Sequence, residues 1–447
     1  MQSIFKTNFS YYHSHSRHVV YLNLSAQITP ANNIISVDIS TFPQNAAFTY
    51  DSCFQKGVDA GIGSVGLYQN WTMIEVAPLT YNLSLFDIAN IYYPAYNMPL
   101  DLTITAIHTN NLEVPADLVA TPYNNPTFIN RFKAMLDSVH AHIPDVTLNS
   151  LVIGSEYDVY LGSNNTLWNN YAEFYNDIAI HAKTLWPDTK IATEITFGGL
   201  IAYNTNAQIV NTSSDYIGVS YYPLNPDFTV KPVSAIADDI EALIDLYPGK
   251  PLFFYQYGYP SSALCNSSDF LQRDFITKTF EIWDLHPDAI KGFDFTWLHD
   301  LDPVMVDYWG DYYGLTDEVF LEYLRTIGLR TFEDMGTDKP AMQELLCQAV
   351  IHGFSDVDVE CNTSISDDNL LATLTINPNP VKDYFSINGL PDNATIAIYN
   401  MYGEMVSVIS QPKDKIIDVN HLTNGTYAVI IKNEDKTIAI DKLVVIK

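Results

Sequence analysis

The sequence predicts an α/β protein: a (β/α)8 TIM barrel followed by a small all-β sandwich. Strand-like runs alternate with amphipathic stretches from residue 32 to about 350, and eight such repeats can be counted. Beyond residue 373 the pattern changes to short strands punctuated by Pro, Gly, Asn and Asp, the texture of a sandwich. Four units follow: an N-terminal segment at 1–31, the barrel at 32–350, a linker at 351–372 and the sandwich at 373–447.

The eight strands are placed at residues 34–41, 64–70, 100–107, 148–156, 190–196, 215–222, 251–257 and 291–297. Each is rich in Val, Ile, Thr and aromatic residues. Between them, residues 127–142, 168–185, 233–247 and 268–285 carry apolar residues at spacings of three and four, as helices that cover a parallel sheet require. Eight such units in about 320 residues fit one barrel. A doubly wound open sheet is the alternative, but no GxGxxG follows the first strand. The linker is rich in Asp, Ser and Asn and has no periodicity.

Composition narrows the function. The chain has 447 residues, 47% of them hydrophobic, enough for one large core and a smaller one. Its 52 acidic against 22 basic residues give a net charge of −30, which repels nucleic-acid backbones and anionic membrane surfaces, so no nucleic-acid partner is expected. Residues 375–447 hold 7 Lys and 8 Asp or Glu, so the acidity belongs almost wholly to the larger domain. No apolar run reaches the length of a membrane-spanning helix. The four cysteines form no CxxC pair and have no histidines at zinc-ligand spacing, so no metal site and no cofactor is expected. Cys347 and Cys361 are close enough in sequence to close a short loop as a disulfide, or to remain thiols. Residues 1–24 contain Lys6, Arg17 and His18 ahead of a six-residue apolar stretch, shorter than the core of an export signal.

The tail resembles a known address. Ile376-Asn377-Pro378-Asn379-Pro380-Val381, Ile398-Tyr399-Asn400-Met401-Tyr402-Gly403, Leu422-Thr423-Asn424-Gly425-Thr426-Tyr427 and the closing Lys442-Leu443-Val444-Val445-Ile446-Lys447 are similar to the type A C-terminal sorting domain of type IX secretion in Bacteroidetes. Read from the residues alone, they give turn, strand, turn, strand, with the prolines stiffening the entry. The resemblance implies an outer-membrane export machine as partner and a secreted or cell-surface location.

The barrel has its own likeness. Trp71-Thr72-Met73-Ile74-Glu75 in the second unit and Ile153-Gly154-Ser155-Glu156-Tyr157-Asp158 at the fourth strand resemble motifs of the (β/α)8 retaining glycosidases. Asp215-Tyr216-Ile217-Gly218-Val219-Ser220-Tyr221-Tyr222-Pro223 at the sixth strand and Gln256-Tyr257-Gly258-Tyr259-Pro260-Ser261 at the seventh extend the likeness. It is strongest to uncharacterised bacterial branches near the galactanases and β-1,3-glucanases. The resemblance implies that Glu156 stands at the acid/base position and residue 256 at the nucleophile. Two departures matter. Ser155 replaces the asparagine that in the family holds a sugar hydroxyl, and Gln256 replaces the second glutamate.

Why that second substitution matters follows from charge. Retaining hydrolysis needs one protonated carboxyl for the leaving oxygen and one ionised carboxylate facing the positive transition state. An amide does neither, although it can still donate and accept hydrogen bonds with a sugar. Glu75, Glu194, Asp294, Asp300 and Asp302 are the carboxyls near strand ends that could replace it. In the eighth strand, alternation from an inward Trp297 points Phe295 inward and Asp294 outward.

Aromatic residues make up 13% of the chain, and sugar C–H faces pack on aromatic rings. Trp71, Tyr221, Tyr222, Tyr257, Tyr259 and Trp297 are the expected platforms, with Glu75, His108 and Ser155 as polar contacts. The expected protein is therefore an exported one whose barrel engages a polysaccharide or oligosaccharide. Hydrolysis is absent or impaired, or else another carboxylate partners Glu156.

Overall fold

The computed structural model describes residues 28–43, 48–359, 361, 375–388, 390, 393–400, 405–410, 416–433 and 436–447. The segment read for an export signal lies outside them up to residue 27, as does the tail motif at 401–403.

Eight parallel strands make the ring of the large sheet, β1 (Ile34–Val37), β2 (Val65–Asn70), β3 (Leu100–His108), β4 (Leu148–Ser155), β5 (Lys190–Thr196), β6 (Ile217–Tyr221), β7 (Leu252–Tyr257) and β8 (Ile290–Phe295), and a ninth, Asn111–Leu112, pairs antiparallel with the end of β3. The eight pair in parallel in the order β1-β8-β7-β6-β5-β4-β3-β2. The ring closes between β1 and the residues leading into β2. There Gly63 N donates to Ile35 O at 2.8 Å and Ser36 Oγ to Ser64 O at 3.1 Å. Closure removes every exposed strand edge, which is why such a long parallel sheet needs no other protection.

The strands read as their environment demands. β3, Leu-Asp-Leu-Thr-Ile-Thr-Ala-Ile-His, is buried along all nine residues, as a strand covered on both faces must be. Leu100, Leu102 and Ile104 join the main core against the helices, whereas Asp101 turns into the ring. Asp101 accepts hydrogen bonds from Ser64 Oγ (2.5 Å), Ser150 Oγ (2.5 Å) and Asn149 Nδ2 (2.7 Å), so the strand beginnings are tied by a satisfied polar knot. Above it Val152, Ala192, Phe253 and Tyr255 form a separate cluster from three strands.

The helices start where their caps allow. Asn164 accepts from Thr166 N and Leu167 N ahead of helix Asn165–Leu185, and Ser268 accepts from Leu271 N ahead of helix Asp269–Leu285. Each cap contributes about 1 kcal/mol. The first helix buries Trp168, Tyr171, Phe174, Tyr175 and Ile178 on one face. The chain divides after Val359 into two units. In the second, three strands (Thr375–Asn377, Tyr384–Asn388, Ile416–Asp418) and four (Ala394–Tyr399, Met405–Ser410, Gly425–Asn433, Lys436–Val445) form two antiparallel sheets. Phe385, Ile396, Ile398, Val429 and Leu443 belong to their common core.

Cys347 and Cys361 remain thiols. Cys347 lies on the buried side of helix Pro340–Ile351. Among the described residues no helix is long and apolar enough to cross a membrane.

Candidate active site

Glu156 follows β4 directly and is the first residue to leave it. Its φ of 51° lies in the left-handed region, as does that of Thr109, at 52°, just after β3. Side chains with a Cβ avoid that region at a cost of about 1–3 kcal/mol, and such strain collects at functional sites. The two residues are partners: Thr109 Oγ1 donates to Glu156 Oε2 at 2.6 Å. Ser220 Oγ on β6 donates to Glu156 Oε1 at 2.5 Å. Both carboxylate oxygens are thus aimed by hydroxyl donors from the nearby strand ends.

Gly154 makes the turn into this residue. Its φ is +91°, and a Cβ there would stand 2.0 Å from Tyr171 Oη. Only glycine fits between the helix Asn165–Leu185 and the strand end, so Ser155 and Glu156 are delivered by backbone geometry.

Ser155 and Gln256 join a second carboxyl to the site. Tyr222 OH donates to Gln256 Oε1 at 3.0 Å, Gln256 Nε2 to Ser155 Oγ at 3.3 Å, and Ser155 Oγ to Glu194 Oε2 at 2.7 Å. Glu194, on β5 beside Ser155, is 2% exposed. Burial first, then the charge of Glu156, push its carboxyl up to about 8, while Ser155 and the Gln256 amide pull the other way. Near neutral pH Glu194 is therefore largely a neutral acid. Gln256 itself is aimed inward by an irregularity in β7, where the pairing registers with β6 and β8 shift after Phe254.

The aromatic wall comes from beyond β8. Helices Pro303–Tyr313 and Glu318–Thr326 bring Tyr313 and Tyr323 near Glu156, whose charge helps raise both phenols after burial has done most of it. Tyr323 packs edge-on against Tyr222 with centroids 5.5 Å apart. His108 is 6% exposed, and its Nδ1 meets Tyr312 OH at 2.9 Å. Burial lowers its pKa to about 4, so it is a neutral packing group that braces this wall, with Tyr312 OH also donating to Glu113 Oε1.

Several expected contacts belong elsewhere. Trp71, with no exposed surface, packs edge-on against Phe128 and Phe132, so neither ring face can meet a sugar. Glu75 is also buried and saturated: Trp71 Nε1 donates to it at 2.9 Å, Leu79 N at 2.7 Å and Arg131 Nε at 2.5 Å. Tyr221, Tyr257 and Tyr259 point into the layer between strands and helices, where their hydroxyls meet Asp239, Thr279 and Lys231 O. All three are at most 1% exposed. Of the six expected platforms, Tyr222 and Trp297 are half-buried, and Tyr222 bonds Gln256 directly.

The replacement carboxyls also sort themselves. Asp300 pairs with Lys339 Nζ at 2.6 Å, and Asp302 caps helix Pro303–Tyr313 by accepting from Met305 N. Asp294 faces inward, reversing the expectation, and Phe293 and Phe295 join the outer core. The reason is that β8 ends at Phe295, so counting back from Trp297 crosses a point where alternation no longer holds. Sequence reasoning missed Thr109, Ser220, Tyr313 and Tyr323. Ser220 was recoverable, since alternation in β6 places it opposite Tyr221; the two tyrosines carry no local signal.

The barrel is similar in fold to solved glycoside hydrolases. The exo-β-1,4-mannosidase Op5Man5 from Opitutaceae bacterium strain TAV5 superposes with a TM-score of 0.55 at 15% identity, covering 74% of this chain and 62% of that one. The chain thus spans less than two thirds of that mannosidase. A GH5_18 enzyme variant from Streptomyces cattleya in complex with Manβ1-4GlcNAc gives 0.55 at 13% identity, covering 73% and 82%. One from Bifidobacterium longum subsp. longum, in complex with the same sugar, gives 0.56 at 10% identity, covering 73% and 80%. No curated protein matches the chain. Residues 375–447 match the secretion system C-terminal sorting domain family. The chain is a secreted or cell-surface protein built on a (β/α)8 barrel similar in fold to those of solved glycoside hydrolases.

Proposed function

We propose that the chain binds an oligosaccharide or polysaccharide at the C-terminal end of its barrel and that retaining hydrolysis is absent or strongly impaired. The observation that carries this reading is Gln256, an amide at the end of β7 held by Tyr222 and Ser155. The fold supports a sugar site at that end of the strands. A covalent glycosyl intermediate needs an anionic oxygen nucleophile, and an amide provides none. What remains suits recognition. Gln256 and Ser155 offer donors and acceptors, Glu156 is held in one orientation, and Tyr222 adds an aromatic edge.

Glu194 favours a second reading. It supplies a neutral acid linked through Ser155 to Gln256 and close enough to Glu156 to sense its charge. Paired with Glu156 as base, it could serve an inverting route in which water replaces the enzyme nucleophile.

One panel separates the two. Purified wild type, Glu156→Gln, Glu194→Gln and Gln256→Glu are assayed for hydrolysis and by calorimetry on β-1,4-manno-oligosaccharides, Manβ1-4GlcNAc and a broader glycan set. Binding without turnover in wild type, with turnover appearing in Gln256→Glu, is the expected result. Turnover in wild type that is lost in both Glu156→Gln and Glu194→Gln would establish the second reading instead.

A further inference from the structure

Two helices that follow β8 bridge part of the barrel mouth. Helix Pro303–Tyr313 ends against the turn after β3, where Asn110 Nδ2 donates to Tyr313 O at 3.0 Å and Asn111 Nδ2 to Tyr312 O at 2.9 Å. Its Tyr312 OH also reaches Glu113 Oε1, and Thr72 Oγ1 donates to the other oxygen of that carboxylate at 2.5 Å. Helix Glu318–Thr326 reaches the other way, setting Tyr323 edge-on to Tyr222 just beyond β6. In the ring, β1 and β2 separate β8 from β3, and β7 separates it from β6. The pair therefore spans the half of the mouth that belongs to β7, β8, β1 and β2. Val306, Phe320, Tyr323 and Leu324 give it a buried cluster of its own, with Tyr222 and Trp297 packed against it. Bonds at both ends and a private core make it a standing wall.

The second observation is room on the inner side of that wall. Gly66 and Tyr68 stand two residues apart on β2 and so share one face, which looks into the ring: a Cβ on Gly66 would meet only Asp294 Oδ2, at 3.1 Å, within 4 Å. Both residues are exposed, Tyr68 by 36%. The inner face of a small barrel is ordinarily filled by neighbouring side chains, so exposure there marks a chamber. His108 ties it to the wall, its ring lying 5.0 Å from that of Tyr68 and 5.3 Å from that of Tyr312. On the far side of the mouth, β4 and β5 run into the short helices Tyr157–Leu161 and Phe197–Ala202, where Val159 is 49% and Tyr160 37% exposed. That side faces solvent.

We infer that this chamber is a blind subsite for the terminal sugar of a glycan, so that the barrel grips a chain by its end while the rest leaves past β4 and β5. This rests on the carbohydrate reading above and names the part of the glycan that is held. A chain bound through its middle needs a cleft open at both ends, and the wall between β3 and β6 closes one of them. A terminal ring can instead pack its C–H face on the exposed Tyr68. Glu156, whose oxygens keep acceptor capacity beyond the bonds from Thr109 and Ser220, can take a hydroxyl of the same sugar.

The test is how many protein molecules one glycan chain can hold, read by calorimetry on the full chain. The probes are the hexaose and a several-fold longer soluble chain of β-1,4-mannan and of β-1,3-glucan. One protein per glycan chain at either length is the expected result. Several proteins on the longer chain overturn the blind subsite and leave carbohydrate binding standing, whereas failure to bind any probe overturns both readings. Reducing the last sugar to its alditol tells the ends apart: lost affinity assigns the reducing end, retained affinity the other. Tyr68→Trp, which enlarges a side chain bordering the chamber, and Gly66→Val, which adds one, should each weaken hexaose binding about tenfold. Two folded variants that bind as wild type does overturn the inference, and the stoichiometry decides alone if neither folds. Where a probe is cut, release of one fixed small product from one end is the matching outcome and random internal cuts are the contrary one.

Discussion

Glu194 shows how one buried group can set a property of the whole protein. Its folded pKa of about 8 exceeds the ordinary 4.5, so between those values the folded chain holds a proton that the unfolded chain has lost. Stability must then fall as pH rises through that interval. Asp158, raised by burial to about 7, and Asp300, raised to about 6 despite Lys339, act in the same direction. His108 and His299, lowered to about 4 and about 3, oppose them only below the ordinary value of 6.5. Above pH 6.5 the carboxyls dominate this balance. The thermal midpoint should therefore drop between about pH 6.5 and 8.5, and Glu194→Gln should flatten much of that drop, as scanning calorimetry across a pH series would register. A midpoint that rises over that range would contradict the buried-acid assignment. At Gly154, alanine would put a methyl against Tyr171 in a backbone region that rejects it. We expect Gly154→Ala to cost about 3 kcal/mol or more in denaturant unfolding.

At the scale of the element, the segment after β2 divides structural from functional carboxyls. Glu75 is held by Trp71, Leu79 and Arg131, and the Arg131 guanidinium also reaches Asp117 at 2.9 Å. This clamp fastens the short helix Trp71–Ile74 and the strand Glu75–Ala77 to helix Pro126–His142 and lies outside the site. Arg131→Met would leave a buried carboxylate without its cation, a change that costs about 3–5 kcal/mol. It should lower the thermal midpoint sharply while the folded fraction binds sugar as before. A loss of affinity at unchanged stability would return Glu75 to the site. In β7, strict alternation would put Tyr255 and Tyr257 on one face with Gln256 opposite. The register shift after Phe254 instead turns Tyr255 inward with Phe253 and sends Tyr257 outward onto Phe275.

At the scale of the molecule, two units with separate cores carry two jobs. The barrel core and the tail core share no residue, and nearly all the acidity sits on the barrel. A chain ending at Val359 should keep the barrel's thermal transition within about 2 °C, since the apolar residues it omits pack in the other core. The same truncation should stop the protein from reaching the cell surface, which fractionation with an antibody to the barrel would measure. Surface delivery of the truncated chain would remove the tail's role as address.

The order of elements was legible in the residues because it depends on local periodicity: eight parallel strands, the covering helices and the sandwich tail all follow from patterns of two and of three to four. That Ser155, Glu156 and Gln256 lie at strand ends was legible too, and the structure joins Gln256 to Ser155 there by a hydrogen bond. What only the tertiary structure decided was direction. Whether Tyr221, Tyr257 and Tyr259 face sugar or core, whether Asp294 looks in or out, and which carboxyl joins Glu156 depend on register shifts and on where each strand stops. A slip of one position exchanges the two faces of a strand, and composition and spacing are the same on either side of it.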